Sequence, residues 1–218
     1  MKIVALLSQK GGVGKTTLAL HLAVGWTQRG RRVAVIDLDP QASAANWGDR
    51  RPKSLPIVRS AHASRLQQEL ETIRAAKGEI VVLDTAPRSD AVILTVAKTA
   101  DLVVIPCRPS ILDLEALAGT LELVQATGVP VLTVLNAVVP HTTAPDQAEG
   151  AIRQLKGGLC PVRISRRVAF AGALLGGLTA QEYEPKGKAA AEAEALFQIV
   201  SDLVEQEDKH ARGVGDNG

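Results

Sequence analysis

Nine residues near the start of the chain, Gln9-Lys10-Gly11-Gly12-Val13-Gly14-Lys15-Thr16-Thr17, put flexible backbone, two ammonium groups and two hydroxyls into one short turn. Glycines let the backbone curl around phosphate oxygens with its N–H groups pointing inward. A helix opening directly behind the turn adds its positive end to the same point. Lys15 is then placed to bridge the β- and γ-phosphates, and the Thr16 hydroxyl to ligate Mg²⁺. Gly11, Gly12, Val13, Gly14 and Thr17 complete the cradle, so Lys10 to Thr17 is expected to bind ATP with magnesium. A plain glycine-rich turn with surface lysines would not account for Gly-Lys-Thr falling in register behind an apolar strand.

Two more strand ends carry carboxylates: Val35-Ile36-Asp37-Leu38-Asp39-Pro40-Gln41 and Ile80-Val81-Val82-Leu83-Asp84-Thr85-Ala86-Pro87. Open α/β folds bind ligands at such C-terminal strand ends. One of Asp37 and Asp39 can organise magnesium and its waters while the other positions the attacking water. Capping of a following helix would account for one of the two equally well. Four apolar residues and then Asp84 form the Walker B pattern, a buried strand that delivers a carboxylate to the metal's outer shell.

The elements that must position these groups follow from periodicity. Apolar β-branched runs occur at Ile3–Leu7, Val33–Ile36, Ile80–Leu83, Leu102–Ile105 and Val131–Leu135. Between them, apolar residues recur at three- and four-residue spacing over Leu18–Trp26, Leu66–Ile73, Ala91–Ala97 and Leu112–Val124. Strands this uniformly apolar are buried on both faces. The expected fold is therefore α/β, a mostly parallel central sheet flanked by helices on both faces, as a single P-loop domain over residues 1–218. Asp49 to Pro56 reads as a surface loop and 205–218 as a charged, glycine-rich tail.

Bulk properties narrow the class further. With 218 residues and 46% hydrophobic content the chain can bury one sizeable core. No apolar run approaches the ~18 residues needed to span a bilayer, and the apolar start runs straight into the glycine-rich turn, as a first strand and not a signal peptide. Cys107 and Cys160 lack metal-ligand spacing, which fits a reducing cytoplasm and small core residues and argues against zinc or an iron–sulfur cluster. A net charge of +2 permits contact with nucleic acid without requiring it.

Gln9 stands where the first glycine of the usual G-x-x-x-x-G-K-[ST] loop would be, and Lys10 is an additional lysine. This K-G-G-x-G-K-[ST] form resembles the deviant Walker A motif of the ParA/MinD superfamily of ATPases. The resemblance extends over nearly the whole chain: D-L-D-P-Q, the following Ala45-Asn46-Trp47, the D-T-A-P strand and a late pattern from Arg166 toward Gly177. It implies that Lys10 contacts phosphate across a nucleotide-sandwich homodimer formed with ATP, with Lys10, Lys15 and Asp39 as catalytic residues. Asp39 would orient water and Asp37 would lie on the magnesium side. Asn136, at the end of Val134-Leu135-Asn136, would hydrogen-bond adenine, a turn cap being the alternative. Ile105 to Ser110 would be a loop beside the nucleotide and the dimer interface, or a plain strand-to-helix connection.

The short chain resembles the compact, ParF-like class of partition ATPases. Such a protein would bind DNA nonspecifically as an ATP dimer, near nucleoid or plasmid, and release it when a ParB-like centromere-binding partner stimulates slow hydrolysis. Phosphate-backbone contacts suffice for that. The candidates are Arg163, Arg166 and Arg167, with Lys186 and Lys188 behind them; a solvated charged face is the competing reading. A MinD-like membrane ATPase would need a basic amphipathic C-terminal helix, whereas Ala189 to Val204 carries an acidic polar face, so no membrane contact is expected. An electron donor of the nitrogenase iron-protein kind lacks its cysteine pair. A biosynthetic ATP-dependent enzyme would need a second substrate pocket.

Overall fold

The computed structural model describes residues 1–87 and 90–213, the side chains of 206–213 excepted. Its centre is a sheet of six strands: β1 (Lys2–Leu6), β2 (Val33–Asp37), β3 (Ile57–Ser60), β4 (Ile80–Asp84), β5 (Leu102–Cys107) and β6 (Val131–Leu135). The order across the sheet is β3-β2-β4-β1-β5-β6, and every pairing is parallel. Parallel neighbours need crossovers, and nine helices supply and extend them among the described residues: α1 (Lys15–Gln28), α2 (Ser43–Arg50), α3 (Leu66–Ala75), α4 (Asp90–Thr99), α5 (Ile111–Gln125), α6 (Ala144–Gln154), α7 (Val168–Leu175), α8 (Ala180–Tyr183) and α9 (Lys188–Gly213).

Alternation along each strand divides the core in two. Val4, Leu6, Val33, Val35, Ile80, Val82, Leu102 and Val104 face α1, α2, α7, α8 and α9. Ile3, Ala5, Leu7, Ala34, Ile36, Val81, Leu83, Val103 and Ile105 face α3, α4, α5 and α6. Helix α1 is apolar nearly all round because it lies between the sheet and α9: Leu18 to Trp26 are all buried. Gly25 is required there, since a Cβ would come within 2.4 Å of the Phe197 ring.

The expected fold is the observed one, and several elements add to it. Helices α2, α6, α7 and α8 and the edge strand β3 carry no long apolar period, and they form because the sheet and its first helix layer are there to receive them. Residues 158–166 run beside β6 through isolated bridges, Thr133–Leu159 and Val138–Ser165, covering that edge of the sheet.

Three readings are corrected. The loop expected at Asp49 to Pro56 begins only after Arg50, and its first residue, Arg51, is not a surface group: its guanidinium pairs with Glu182 at 2.8 Å, the two side chains 2% and 4% exposed. Ile105, Pro106 and Cys107 belong to β5, so the loop there starts at Arg108. Pro106 is tolerated because Val104 is the last β5 residue in register with β1. The tail expected at 205–218 starts as helix, since α9 continues to Gly213; residues 214–218 lie outside the described residues.

Gly25→Ala should lower the unfolding free energy by about 1–3 kcal/mol through overpacking against Phe197. Urea denaturation would measure it, and an unchanged midpoint would show that α1 and α9 leave room for the added methyl.

Candidate nucleotide-binding site

Sheet register assembles the site. Asp84 at the end of β4 sits opposite Leu6 on one side and Asp37 on the other. The chain leaving β1 after Leu6 must therefore turn over the two carboxylates, and it does so as the glycine-rich loop. Gly12 (φ 72°) and Gly14 (φ 100°) take left-handed backbone that L side chains resist. Gly14 also caps α1, whose N-terminus opens toward the loop. The result is a cleft of about 690 Å³ lined by Gly11, Gly12, Gly14, Lys15, Thr16, Thr17, Asp39, Pro40, Gln41, Ser43, Ala86 and Pro87.

Lys15 is buried, and its Nζ donates to the Lys10 carbonyl at 3.1 Å and, more weakly, toward Ser8 O at 3.5 Å. Burial holds its ammonium below the usual lysine value, while Asp84 and then Asp39 pull the other way. A lysine under this tension gains by meeting an anion. Lys10 sits at the loop mouth, half-buried, and its ammonium has no partner among the described residues. The loop itself is pinned from below. Lys10 N–H donates to Ser8 Oγ, Gln9 N–H to Thr120 Oγ1 on α5, and Gln9 Nε2 to Asp90 of α4.

The three aspartates divide by partner. Both oxygens of Asp37 are occupied by backbone: Oδ1 accepts from Asp39 N–H at 3.0 Å, and Oδ2 from Ala44 and Ala45 N–H at 2.9 and 3.0 Å. Asp37 thus caps α2, the alternative that its sequence position left open. Asp39 lines the cleft and accepts from Gln41 N–H. Asp84 is fully buried, and neither of its oxygens has a hydrogen-bond partner among the described residues. Burial first, then the neighbouring charges of Asp37 and Asp39, push its carboxyl up to about 7, with Thr16 and Lys15 opposing. Thr16 is close enough to oppose that rise, yet not placed to make a hydrogen bond of normal geometry.

An orphaned buried carboxylate beside the Thr16 hydroxyl suits a magnesium ion and its waters. Among the described residues no three His, Cys, Asp or Glu side chains form a metal-holding cluster. The donor set fits an ion that Thr16 would help hold with Asp84 behind it, and that would supply positive charge beside the loop.

Asn136 is placed under the loop. Its Nδ2 donates to Val13 O at 2.6 Å, and a Cβ on Gly14 would lie 2.1 Å from that nitrogen. In this structure the amide serves the loop backbone and is 7% exposed. Neither Ser8 and Thr120, which hold the loop, nor His21 behind it was singled out from sequence. The only signal for His21 was a lone polar residue in an apolar helix, four positions after Thr17.

The expected basic surface is only partly there. Arg163 is tied to Asp146 at 2.6 Å and Glu149 at 2.7 Å, and Arg167 to Glu192 at 2.6 Å. Both are thus already paired with carboxylates on α6 and α9. Arg166, Lys186 and Lys188 are exposed, have no ion-pair partner among the described residues, and line one groove with Arg167 and Glu184.

A central β1 followed by a phosphate loop, with acidic ends on the adjoining strands, defines a P-loop nucleotide-binding protein. Residues 4–180 match the model of the CobQ/CobB/MinD/ParA nucleotide binding domain, and the chain belongs to that family, within the ParA/MinD superfamily. It is 32% identical over 210 residues to Maintenance of carboxysome distribution protein A of Gloeobacter kilaueensis, covering 94% of this chain and 95% of the relative. It is 31% identical to the chromosome-partitioning ATPase Soj of Thermus thermophilus over 69% of this chain and 75% of that one. Among solved structures, MinD of Pyrococcus horikoshii with Mg-ADP superposes with a TM-score of 0.74 at 18% identity, covering 93% of this chain and 96% of that one. That likeness is one of fold. No helix among the described residues is long and apolar enough to cross a membrane.

Two measurements test the site. The Asp84 carboxyl is raised in the folded state, so its contribution to stability is full below its ordinary value and is lost as pH rises through about 7. Asp84→Asn removes that loss. Without nucleotide, its stability relative to the parent should grow by about 2 kcal/mol between about pH 5.5 and about pH 8.5, and a pH-independent difference in urea unfolding would refute this. Asn136→Ala should weaken ATP and inorganic triphosphate alike, by roughly tenfold, the cost of a buried hydrogen bond. A loss confined to ATP in calorimetry would assign the amide to adenine instead.

Proposed function

We propose that this chain is a ParA-type positioning ATPase, which dimerises on ATP, rides nonspecifically on DNA and is released by hydrolysis. The observation that carries the reading is Lys10, whose ammonium has no partner among the described residues and which directly precedes Gly11 of the cleft lining, while Lys15 is held within the loop. A second, uncommitted cation beside the cleft suits phosphate in a facing subunit.

In this reading ATP phosphates replace the Lys10 carbonyl as the partner of Lys15, and the loop N–H groups with the α1 N-terminus hold the rest of the chain of phosphates. Thr16, backed by Asp84, would hold Mg²⁺, which supplies charge neutralisation to the γ-phosphate. Asp39, exposed to the cleft, orients the attacking water. Asp37 keeps α2 and the turn carrying Asp39 in place. Arg166, Lys186 and Lys188 meet DNA phosphates, while Arg163 and Arg167 hold the framework. Relatives named for carboxysome distribution and for chromosome partitioning support two kinds of cargo, a protein assembly or a DNA molecule; in this reading an activator of the ParB kind bridges either one. A biosynthetic role of the same fold would need a substrate pocket beside the nucleotide.

Purified protein should bind duplex DNA only with ATP, with a steep salt dependence, and Asp39→Ala should retain that binding while losing ATP turnover. Lys10→Ala should still bind ATP but elute as a monomer and lose at least about tenfold in turnover, as removal of a single transition-state charge contact does. DNA binding absent with every nucleotide would remove the track from this proposal. Dimerisation by Lys10→Ala with ATP would remove the role of Lys10.

A further inference from the structure

His21 lies in the middle of α1, 2% exposed, with both ring nitrogens engaged. Nδ1 lies 2.7 Å from the Thr17 carbonyl and Nε2 2.9 Å from Ala180 N–H. A carbonyl can only accept and an amide N–H can only donate, so the ring is neutral with its proton on Nδ1. Burial holds it in that form, pushing its pKa down to about 4. The His21 carbonyl also accepts from Gln181 Nε2 at 3.1 Å, and the ring meets Phe170 edge-on at 5.1 Å.

These partners lie at three functional places. Thr17 lines the nucleotide cleft. Phe170 belongs to α7, whose start carries Arg166 and Arg167 on one wall of the basic groove. Ala180 and Gln181 open α8, which leads into the turn bearing Lys186 and on to Lys188 at the start of α9, both on the other wall. One imidazole therefore touches the first turn behind the phosphate loop and both supports of the groove.

We propose that His21 is a positioning residue through which phosphate binding at the loop sets the spacing of the groove walls, so that Arg166 and the two lysines match DNA phosphates only in the ATP state. The proposal rests on the DNA-binding reading given above. A shift of the first turn of α1 toward bound phosphate carries the Thr17 carbonyl and the ring with it. Because the ring is buried with both nitrogens bonded and Phe170 against it, Phe170 and Ala180 must follow.

The test uses the full-length protein and His21→Phe, which keeps the ring against Phe170 and removes both nitrogens. A second variant, Gln181→Leu, loosens only the α8 support. The readouts are the ratio of DNA affinity with ATP to that with ADP, the ATP dissociation constant, and amide hydrogen exchange over residues 180–187. The parent should show ATP-dependent protection of that segment. His21→Phe should lose the protection and about tenfold or more of the affinity ratio, with a smaller change in ATP affinity. Gln181→Leu should show a partial loss of both. An unchanged ratio in His21→Phe overturns the proposal. If the parent binds no DNA, the track reading fails separately and exchange alone decides: ATP-dependent protection lost in His21→Phe supports the relay, and no ATP effect in the parent overturns it. If His21→Phe does not fold, Gln181→Leu decides, a parental ratio and protection counting against the relay.

Discussion

Asp84 stands in register between Leu6 and Asp37 with neither carboxylate oxygen bonded, at the bottom of the cleft, and much of the rest of the structure follows from keeping it there. A buried carboxylate without partners costs several kcal/mol unless it stays protonated or meets a cation. Thr16 and Lys15 relieve part of that cost, and two other arrangements leave the rest in place. Asp37 could share a proton or a donor with its neighbour, yet three backbone N–H groups claim it. Lys15 could swing onto Asp84, yet it is drawn to the Lys10 carbonyl. The site is left electrically incomplete in the way a magnesium–phosphate ligand completes.

Rigidity around the cleft comes from the layer behind α1. Glu182 caps α8 together with Thr179 and receives Arg51 in a two-pronged pair. Although burial alone would raise its carboxyl, hydrogen bonds from Arg51 and Lys53 bring it down to about 2. Arg51 also lies over the Trp47 ring, and Trp47 donates to the Leu178 carbonyl. The C-terminal end of α2 is thereby clamped to α8, while its N-terminal end is capped by Asp37. Breaking such a buried pair by removing one partner costs about 3–5 kcal/mol. The turn carrying Asp39 and the helix carrying Thr17 are thus held from one small helix of four residues.

The charged surface makes a parallel point about counting cations. Five basic residues close in sequence around 163–188 do not make one surface, because α6 and α9 present acids to two of them. Three remain free to meet an external anion. The pairs of Arg163 and Arg167 hold the segment that covers the β6 edge, where an unpaired strand would otherwise invite association.

What the sequence by itself determined is local or periodic. The glycine loop is contiguous in sequence, so its spacing was legible although Thr120, Asp90 and Asn136, which hold it, were not readable as its supports. Five of the six strands and the helices α1, α3, α4, α5 and α9 were visible as apolar periods, since a strand buried on both faces and a helix between layers must be apolar. Strand β3 and helices α2, α6 and α8 were not, because short amphipathic or polar segments are stabilised by what they pack against, and α7, though apolar throughout, is too short to show a helical period. The tertiary structure alone decided which aspartate caps and which faces the cleft, since both follow from where α2 returns to the sheet. It decided which arginines are already neutralised, because their acids lie up to 25 residues away. Most of all it decided the partners of His21 and of Arg51, which lie 159 and 131 residues away and become neighbours only when the last helices close over the first.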